Sequence, residues 1–214
     1  MSEYKRESQN TVKRAANRGH YDKETVHKIL DAASVCHLGF VVDGRPFVIP
    51  TIYARDGNKI YVHGSTKSRM LSNMEKGIPV CLTVTHIDGL VLARSAFHHS
   101  MNYRSVMIFG NAKPVAEEEK NHALFMISEN IIKDRWDEVR PPTEKELKIT
   151  AILAIEIESA SAKIREGDPS DDKADYELAI WAGVIPLKPT AGKAIPDTKL
   201  KEGIEVSESV KKYT

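Results

Sequence analysis

The stretch Tyr61-Val62-His63-Gly64-Ser65-Thr66-Lys67-Ser68-Arg69-Met70-Leu71 decides how the chain is read. It opens as a strand, Lys59 to His63, of β-branched and aromatic residues. Gly64 breaks the strand, and Ser65 or Thr66 caps a short helix beyond it. Met70, Leu71 and Met74 give that helix an apolar stripe, closed by Gly77 and Pro79. A strand running into a helix N-terminus leaves backbone N–H groups unpaired where the helix dipole is positive. Ser65, Thr66 and Ser68 add hydroxyl donors, and Lys67 and Arg69 add two full charges, so the stretch reads as a phosphate site. A solvated, well-capped helix start needs only one hydroxyl and fits the same residues. Two cations in a first turn oppose the dipole unless an anion sits there, and this favours the phosphate. The glycine spacing of a P-loop is absent.

Upstream, Asp22 caps a helix in which Val26, Ile29, Leu30 and Ala33 share one face. Strand-like runs come next: Leu38 to Val42, Phe47 to Tyr53 and Lys59 to His63, punctuated by Asp43-Gly44 and Asp56-Gly57. Downstream, Val80 to Thr85 alternates as a half-buried strand should, and Leu90 to Arg94 is expected to return across an Asp88-Gly89 turn. Ser105 to Val115 is a further strand. Glu117-Glu118-Glu119 start a helix with Leu124, Ile127 and Ile131 on one face, and Thr143 with Glu146 fits a capping box. Thr150 to Glu158 alternates as the last strand. About six or seven strands, joined as hairpins with few helices, predict a mainly β (α+β) fold: an antiparallel sheet closed or nearly closed into a barrel.

With 214 residues, one domain with appendages is expected. Residues 1–20 are polar and basic and read as an arm, 21–187 as the domain, and 188–214 as a flexible tail without periodicity. The net charge of +1 gives no electrostatic ground for a nucleic acid or an anionic membrane as partner. No run approaches the roughly 18 apolar residues of a membrane span, and the polar N-terminus is not a secretory signal. Cys36 and Cys81 fall in expected strands and read as reduced core thiols of a cytoplasmic protein.

The second cluster is Arg94-Ser95-Ala96-Phe97-His98-His99-Ser100-Met101-Asn102-Tyr103-Arg104-Ser105, dense in polar and titratable side chains. It fits either a site or a polar loop whose side chains satisfy one another. Adjacent histidines on an extended chain point to opposite faces and no third ligand stands at a recognisable spacing, so no metal is expected. His63 ends a strand beside the phosphate loop, within reach of whatever carries the phosphate, or is a hydrogen-bonded barrel-end residue. Nothing resembles a catalytic triad, a carboxylate pair or a nucleophile elbow. A phosphate loop with no acid, base or nucleophile of its own suggests that a cofactor carries the chemistry.

Val48-Ile49-Pro50-Thr51-Ile52-Tyr53, the Tyr-Val-His-Gly-Ser-x-Lys-Ser-Arg loop, the strand end Ala93-Arg94-Ser95 and the later Trp181 to Leu187 together resemble the pyridoxamine 5'-phosphate oxidase-related family. The likeness is to its flavin-binding branch that includes nitroimidazole-resistance reductases, and it covers residues 11–187. The resemblance implies a split β-barrel, a homodimer and FMN in a cleft between subunits. It implies that Ser65 and Lys67 hold the FMN phosphate, with Ser68 and Arg69 in support. Val48, Ile49, Pro50 and Thr51 would face the isoalloxazine ring, and His63 would lie beside it. Arg94, with Ser95 at the same strand end, would make a second phosphate or ribityl contact. The oxidases carry a lysine where this chain has Thr51, and the segment from His98 to Arg104 lacks their substrate-phosphate residues, so vitamin B6 synthesis is not expected. The expected function is an FMN-dependent oxidoreductase reducing a small organic acceptor, with NAD(P)H as a candidate donor. The alternative is a non-catalytic protein that binds or senses FMN or haem in the same fold.

Overall fold

The structure, a computed structural model, describes residues 2–67 and 77–214. In chain order its regular elements are β1 (Gly19–His20), α1 (Lys23–Asp31), β2 (Val35–Val42), β3 (Arg45–Asp56), β4 (Lys59–Ser65), β5 (Pro79–Leu92) and β6 (Ser100–Pro114). Then come α2 (Lys120–Ile131), α3 (Glu144–Ile149), β7 (Thr150–Glu156), β8 (Ser159–Arg165), β9 (Gly183–Pro186) and α4 (Glu208–Tyr213). The hydrogen-bonded strand order is β1-β8-β6-β7-β4-β3-β2-β5-β9, with a further pairing of β6 to β5. That pairing closes β2 to β7 into a ring, the antiparallel split β-barrel expected from the sequence, with helices on its flanks.

The chain divides into two compact units. The first holds Met1–Pro50, Pro79–Gly110 and Ile157–Lys188. Its helix α1 starts where Asp22 accepts the Thr25 N–H at 2.8 Å, and it buries Val26, Ile29 and Leu30. β6 pairs with β8 in a register that sets Val106 opposite Ala162 and Ile108 opposite Ala160, all four buried. The arm is folded onto this unit: Asn10 is buried and donates to the carbonyls of Lys5 and Ala160, and the Tyr4 hydroxyl meets His27 Nε2 at 2.8 Å.

Asp43-Gly44 makes a two-residue turn with φ of 50° and 73°, the left-handed pair that such hairpins need. Asp88-Gly89 does not turn. β5 runs straight through it, and Gly89 lies opposite Pro186 in the ladder with β9. A Cβ there would meet Val184 Cγ1 at 3.0 Å and the Ile185 carbonyl at 3.1 Å, so this glycine permits close approach of a neighbouring strand. Asp88 is held by Arg104, whose Nε and Nη2 donate to its carboxylate at 2.9 and 2.8 Å. These bonds keep Asp88 below the usual carboxylate range.

The second unit holds Thr51–Ile78, Asn111–Glu156 and Pro189–Thr214. β4 lies between β3 and β7, with Tyr61 opposite Ala54 on one side and Ala154 on the other. Ala54, Tyr61, Val115, Ala123, Ile127 and Ile152 form its core, with Leu124 packed against them, while Ile131 is exposed. Glu117 to Glu119 form a 3₁₀ turn ahead of α2, and Glu119 is drawn away from the helix end to accept from Tyr61 Oη at 2.6 Å and Lys59 Nζ at 2.7 Å. Thr143 and Glu146 form the capping box of α3. The tail read as flexible ends in α4, where Ser209 is buried and donates to Glu138 through its backbone N–H and its hydroxyl. No helix among the described residues is long and apolar enough to cross a membrane.

Candidate functional site

In the second unit the site residues are set by the end of β4. His63, Gly64 and Ser65 pair with Ile152, Ala151 and Thr150 of β7, and the Thr66 N–H donates to the Ile149 carbonyl at 3.0 Å. Ser65 Oγ accepts from the Lys67 N–H at 3.2 Å, so the serine closes the turn after the strand as a cap would. Those two backbone donors are thus committed, and among the described residues of this turn the groups left to hold an anion are the hydroxyls and the Lys67 ammonium. Ser65, Thr66 and Lys67 are exposed. Ser68 and Arg69, with the helix read from Met70, Leu71 and Met74, lie outside the described residues.

His63 differs from its exposed neighbours. Its Nδ1 is buried and has no hydrogen-bond partner among the described residues. Burial pushes the imidazole below its ordinary value, so it is neutral at pH 7. A buried ring nitrogen without a partner costs free energy that a bound polar group would recover. A residue beside a heteroaromatic cofactor would offer such a nitrogen to the ligand, whereas a barrel-end histidine would have it bonded within its own protein. Thr51, half-buried on β3, makes a long contact of 3.4 Å from its hydroxyl to the Ile52 carbonyl.

In the first unit, Val48 and Pro50 are exposed and Ile49 is half-buried. Arg94 and Ser95 are engaged by Asp171, a residue that sequence reasoning missed. The Asp171 side chain has no accessible surface and accepts from Arg94 N–H at 3.0 Å, Ser95 N–H at 3.3 Å and Arg94 Nη1 at 3.1 Å. Burial pushes its carboxyl up, and these three bonds outweigh burial and hold it below the usual range. The Arg94 guanidinium stacks 4.8 Å over the Tyr176 ring, and its Nε is buried without a partner among the described residues. No local signal marks Asp171, which sits in the polar run Gly167-Asp168-Pro169-Ser170-Asp171-Asp172.

The segment from His98 to Ser105 divides its roles. His99 Nδ1 accepts from the Ala93 N–H at 3.0 Å, Asn102 bonds Arg165, and Arg104 pairs with Asp88. A cavity of about 880 Å³ in the second unit is lined by Ile195, Leu200, Ile204, Val206 and Val210 among others, and by none of the residues chosen from the sequence.

The family model described as pyridoxamine 5'-phosphate oxidase matches residues 22–164. The flavocytochrome Anf3 from Azotobacter vinelandii is 38% identical, with 97% of each chain covered and a TM-score of 0.91. A FAD and haem binding protein from Mycobacterium smegmatis is 33% identical over 92% of this chain and 97% of that one, with a TM-score of 0.89. A putative 5-nitroimidazole antibiotic resistance protein from Bacteroides thetaiotaomicron shares the fold at 22% identity, covering 68% of this chain and 86% of its own, with a TM-score of 0.57. No curated protein sequence matches the chain. With the matched model spanning β2 to β7, the chain belongs to the pyridoxamine 5'-phosphate oxidase family.

Proposed function

We propose that this chain is a flavin-binding oxidoreductase that passes electrons to a small organic acceptor. The observation that carries the reading is the buried Nδ1 of His63, without a partner among the described residues, two residues before a turn that presents Ser65, Thr66 and Lys67. Likeness along nearly the whole chain to a protein named a flavocytochrome supports it. Lys67 and the hydroxyls of Ser65 and Thr66 would hold the flavin phosphate, FMN in the first instance, through charge-assisted hydrogen bonds. His63, neutral and desolvated, would give one hydrogen bond to the ring system or to the acceptor. A bound flavin supplies hydride and single-electron transfer; the protein's share is to hold, orient and desolvate. Thr51 brings no positive charge where the oxidases carry a lysine, so a phosphorylated vitamer is not the proposed substrate.

The reading includes a homodimer. Val35, Val41, Phe47 and Val48 of β2 and β3 are exposed, and Val48 reaches 67%, an apolar strip suited to a second copy. It also includes a reducing compartment, since Cys36 and Cys81 are free thiols and burial pushes Cys36 up to about 12, leaving it unreactive.

A second reading adds haem to the flavin. The protein at 33% identity is named for both FAD and haem, and it supports this reading. The absorption spectrum of the purified chain decides. Flavin bands alone, with FMN released on denaturation, bear out the first reading; a Soret band beside them bears out the second. A colourless protein that takes up neither group refutes both.

A further inference from the structure

We propose that His98, Asp172 and Asp175 form a site for one divalent transition-metal ion, Zn²⁺ foremost. One ligand atom from each residue lies within 4.8 Å of the other two. His98 Nε2 and Asp172 Oδ2 are 3.6 Å apart, too far for a hydrogen bond. Around a tetrahedral ion with bonds of about 2.0–2.1 Å, ligand atoms stand about 3.3 Å apart, so small rotations of the exposed Asp172 and the half-buried His98 and Asp175 side chains close the set.

The two carboxylates come from one short turn. Lys173–Glu177 is a 3₁₀ turn, in which residues three apart eclipse one another, and its first bond runs from Asp175 N–H to the Asp172 carbonyl at 2.9 Å. Asp172 stands at the N-cap, where an aspartate ordinarily accepts from the turn, yet its side chain makes no capping bond. Two like charges side by side repel, and among the described residues no lysine or arginine pairs with either. What converges on them is an imidazole. His98 ends the 3₁₀ turn Ala96–His98, whose start is fixed by Ser95 Oγ accepting from the Phe97 N–H at 3.2 Å.

Contacts on both sides lock the two turns together. Asp171, one residue before Asp172, is clamped by the N–H groups of Arg94 and Ser95. Tyr176, one residue after Asp175, lies under the Arg94 guanidinium. The ligand set is therefore held by a buried carboxylate and a stacked ring that do not themselves ligate, the preorganisation a site needs. A neutral imidazole with two carboxylates carries a charge of about −2, which a divalent ion cancels. The nitrogen ligand favours Zn²⁺ and its neighbours over Mg²⁺ and Ca²⁺. Three protein ligands leave a fourth position for water or an added anion. Sequence spacing cannot reveal this set, because the carboxylates come from a distant segment.

The test uses the untagged chain as purified, after chelator treatment. It is dialysed against zinc chloride with magnesium in excess, and zinc per chain is counted by mass spectrometry. One zinc per chain is expected, with affinity falling at least about tenfold in His98→Ala and in Asp172→Asn, given that outer partners alone count for that much. Asp172 is 84% exposed, so its isosteric change leaves folding intact. His99→Gln, which keeps an acceptor for the Ala93 N–H, should bind zinc as the wild type does. Wild-type uptake no greater than that of Asp172→Asn, or undiminished uptake in His98→Ala, overturns the proposal. Flavin content measured on the same samples reports separately on the reading of the other site.

Discussion

Replacing His63 by leucine separates a ligand-facing histidine from a structural one, because the two roles predict opposite signs. The wild-type ring keeps a buried Nδ1 with no partner among the described residues. An unsatisfied buried polar atom costs about 1–3 kcal/mol. Leucine fills a similar space with no polar atom, so flavin-free His63→Leu should match or exceed the wild type in stability, by up to that amount. If a bound flavin supplies the missing partner, the same substitution removes it, and affinity should fall by about 5–150-fold, the equivalent of 1–3 kcal/mol. pH adds a second arm. Burial lowers the imidazole from its ordinary value of 6.5, so the unfolded chain takes up the proton first as pH falls. Above about 6.5 His63 therefore adds no proton-linked penalty, and stability falls as pH drops from there through the folded-state value. His63→Leu should be flatter in that window. Urea unfolding of stripped protein at several pH values and flavin titration by fluorescence give both quantities. A variant that is less stable without flavin, yet binds it unchanged, would refute the argument.

Two further changes test the neighbouring claims. Lys67→Ala removes an exposed ammonium and should leave stability within about 0.5 kcal/mol, while weakening FMN by about 1.5–3 kcal/mol and leaving riboflavin, which lacks the phosphate, unaffected. Equal losses for both flavins in a calorimetric titration would remove the phosphate from this turn. Gly89→Ala sets a Cβ at 3.0 Å from Val184 and 3.1 Å from the Ile185 carbonyl, so it should lower stability by about 1–3 kcal/mol. A denaturation midpoint unchanged by that substitution would show that β9 is not seated on β5.

The barrel was legible wherever period-two burial and turn glycines agreed. β2 runs into the Asp43-Gly44 turn and β4 follows Asp56-Gly57, and both, like β7, alternate or run apolar, a pattern their paired registers reflect. Three places escaped. In β5 the buried parity changes from Val80, Leu82 and Val84 to Gly89 and Val91, so one strand imitates two with a turn between them. β8 is Ser-Ala-Ser-Ala-Lys-Ile-Arg, a run of small residues with weak strand preference. It forms because β6 lies along it, and its buried Ser159 is bonded from afar by Gln9. The C-terminal helix α4 is polar and short, and it docks through partners far up the chain: the Glu138 carboxylate, and Asp134, which accepts from Lys212 Nζ at 2.8 Å.

The candidate site could be picked out in the sequence as residue types but not as charges. Sequence alone counts Lys67 and Arg69 as the two cations of the phosphate stretch, and the family resemblance adds Arg94 as a second phosphate or ribityl contact. The fold gives Lys67 and Arg94 different surroundings, because charge is decided by partners that sequence distance hides. The carboxylate of Asp171, excluded from water, cancels the charge of Arg94 and fixes its backbone. What Arg94 keeps is a buried Nε without a partner among the described residues and a face stacked on Tyr176, the equipment of a directional donor rather than a counter-charge. Lys67 is the opposite case: exposed, with its backbone tied by Ser65 and its ammonium in no ion pair among the described residues. Of these two candidates, Lys67 is the one whose positive charge has no counter-charge among the described residues. Loss of that one side chain should therefore change the salt dependence of flavin binding, since screening weakens a charge pair in water far more than a neutralised buried donor.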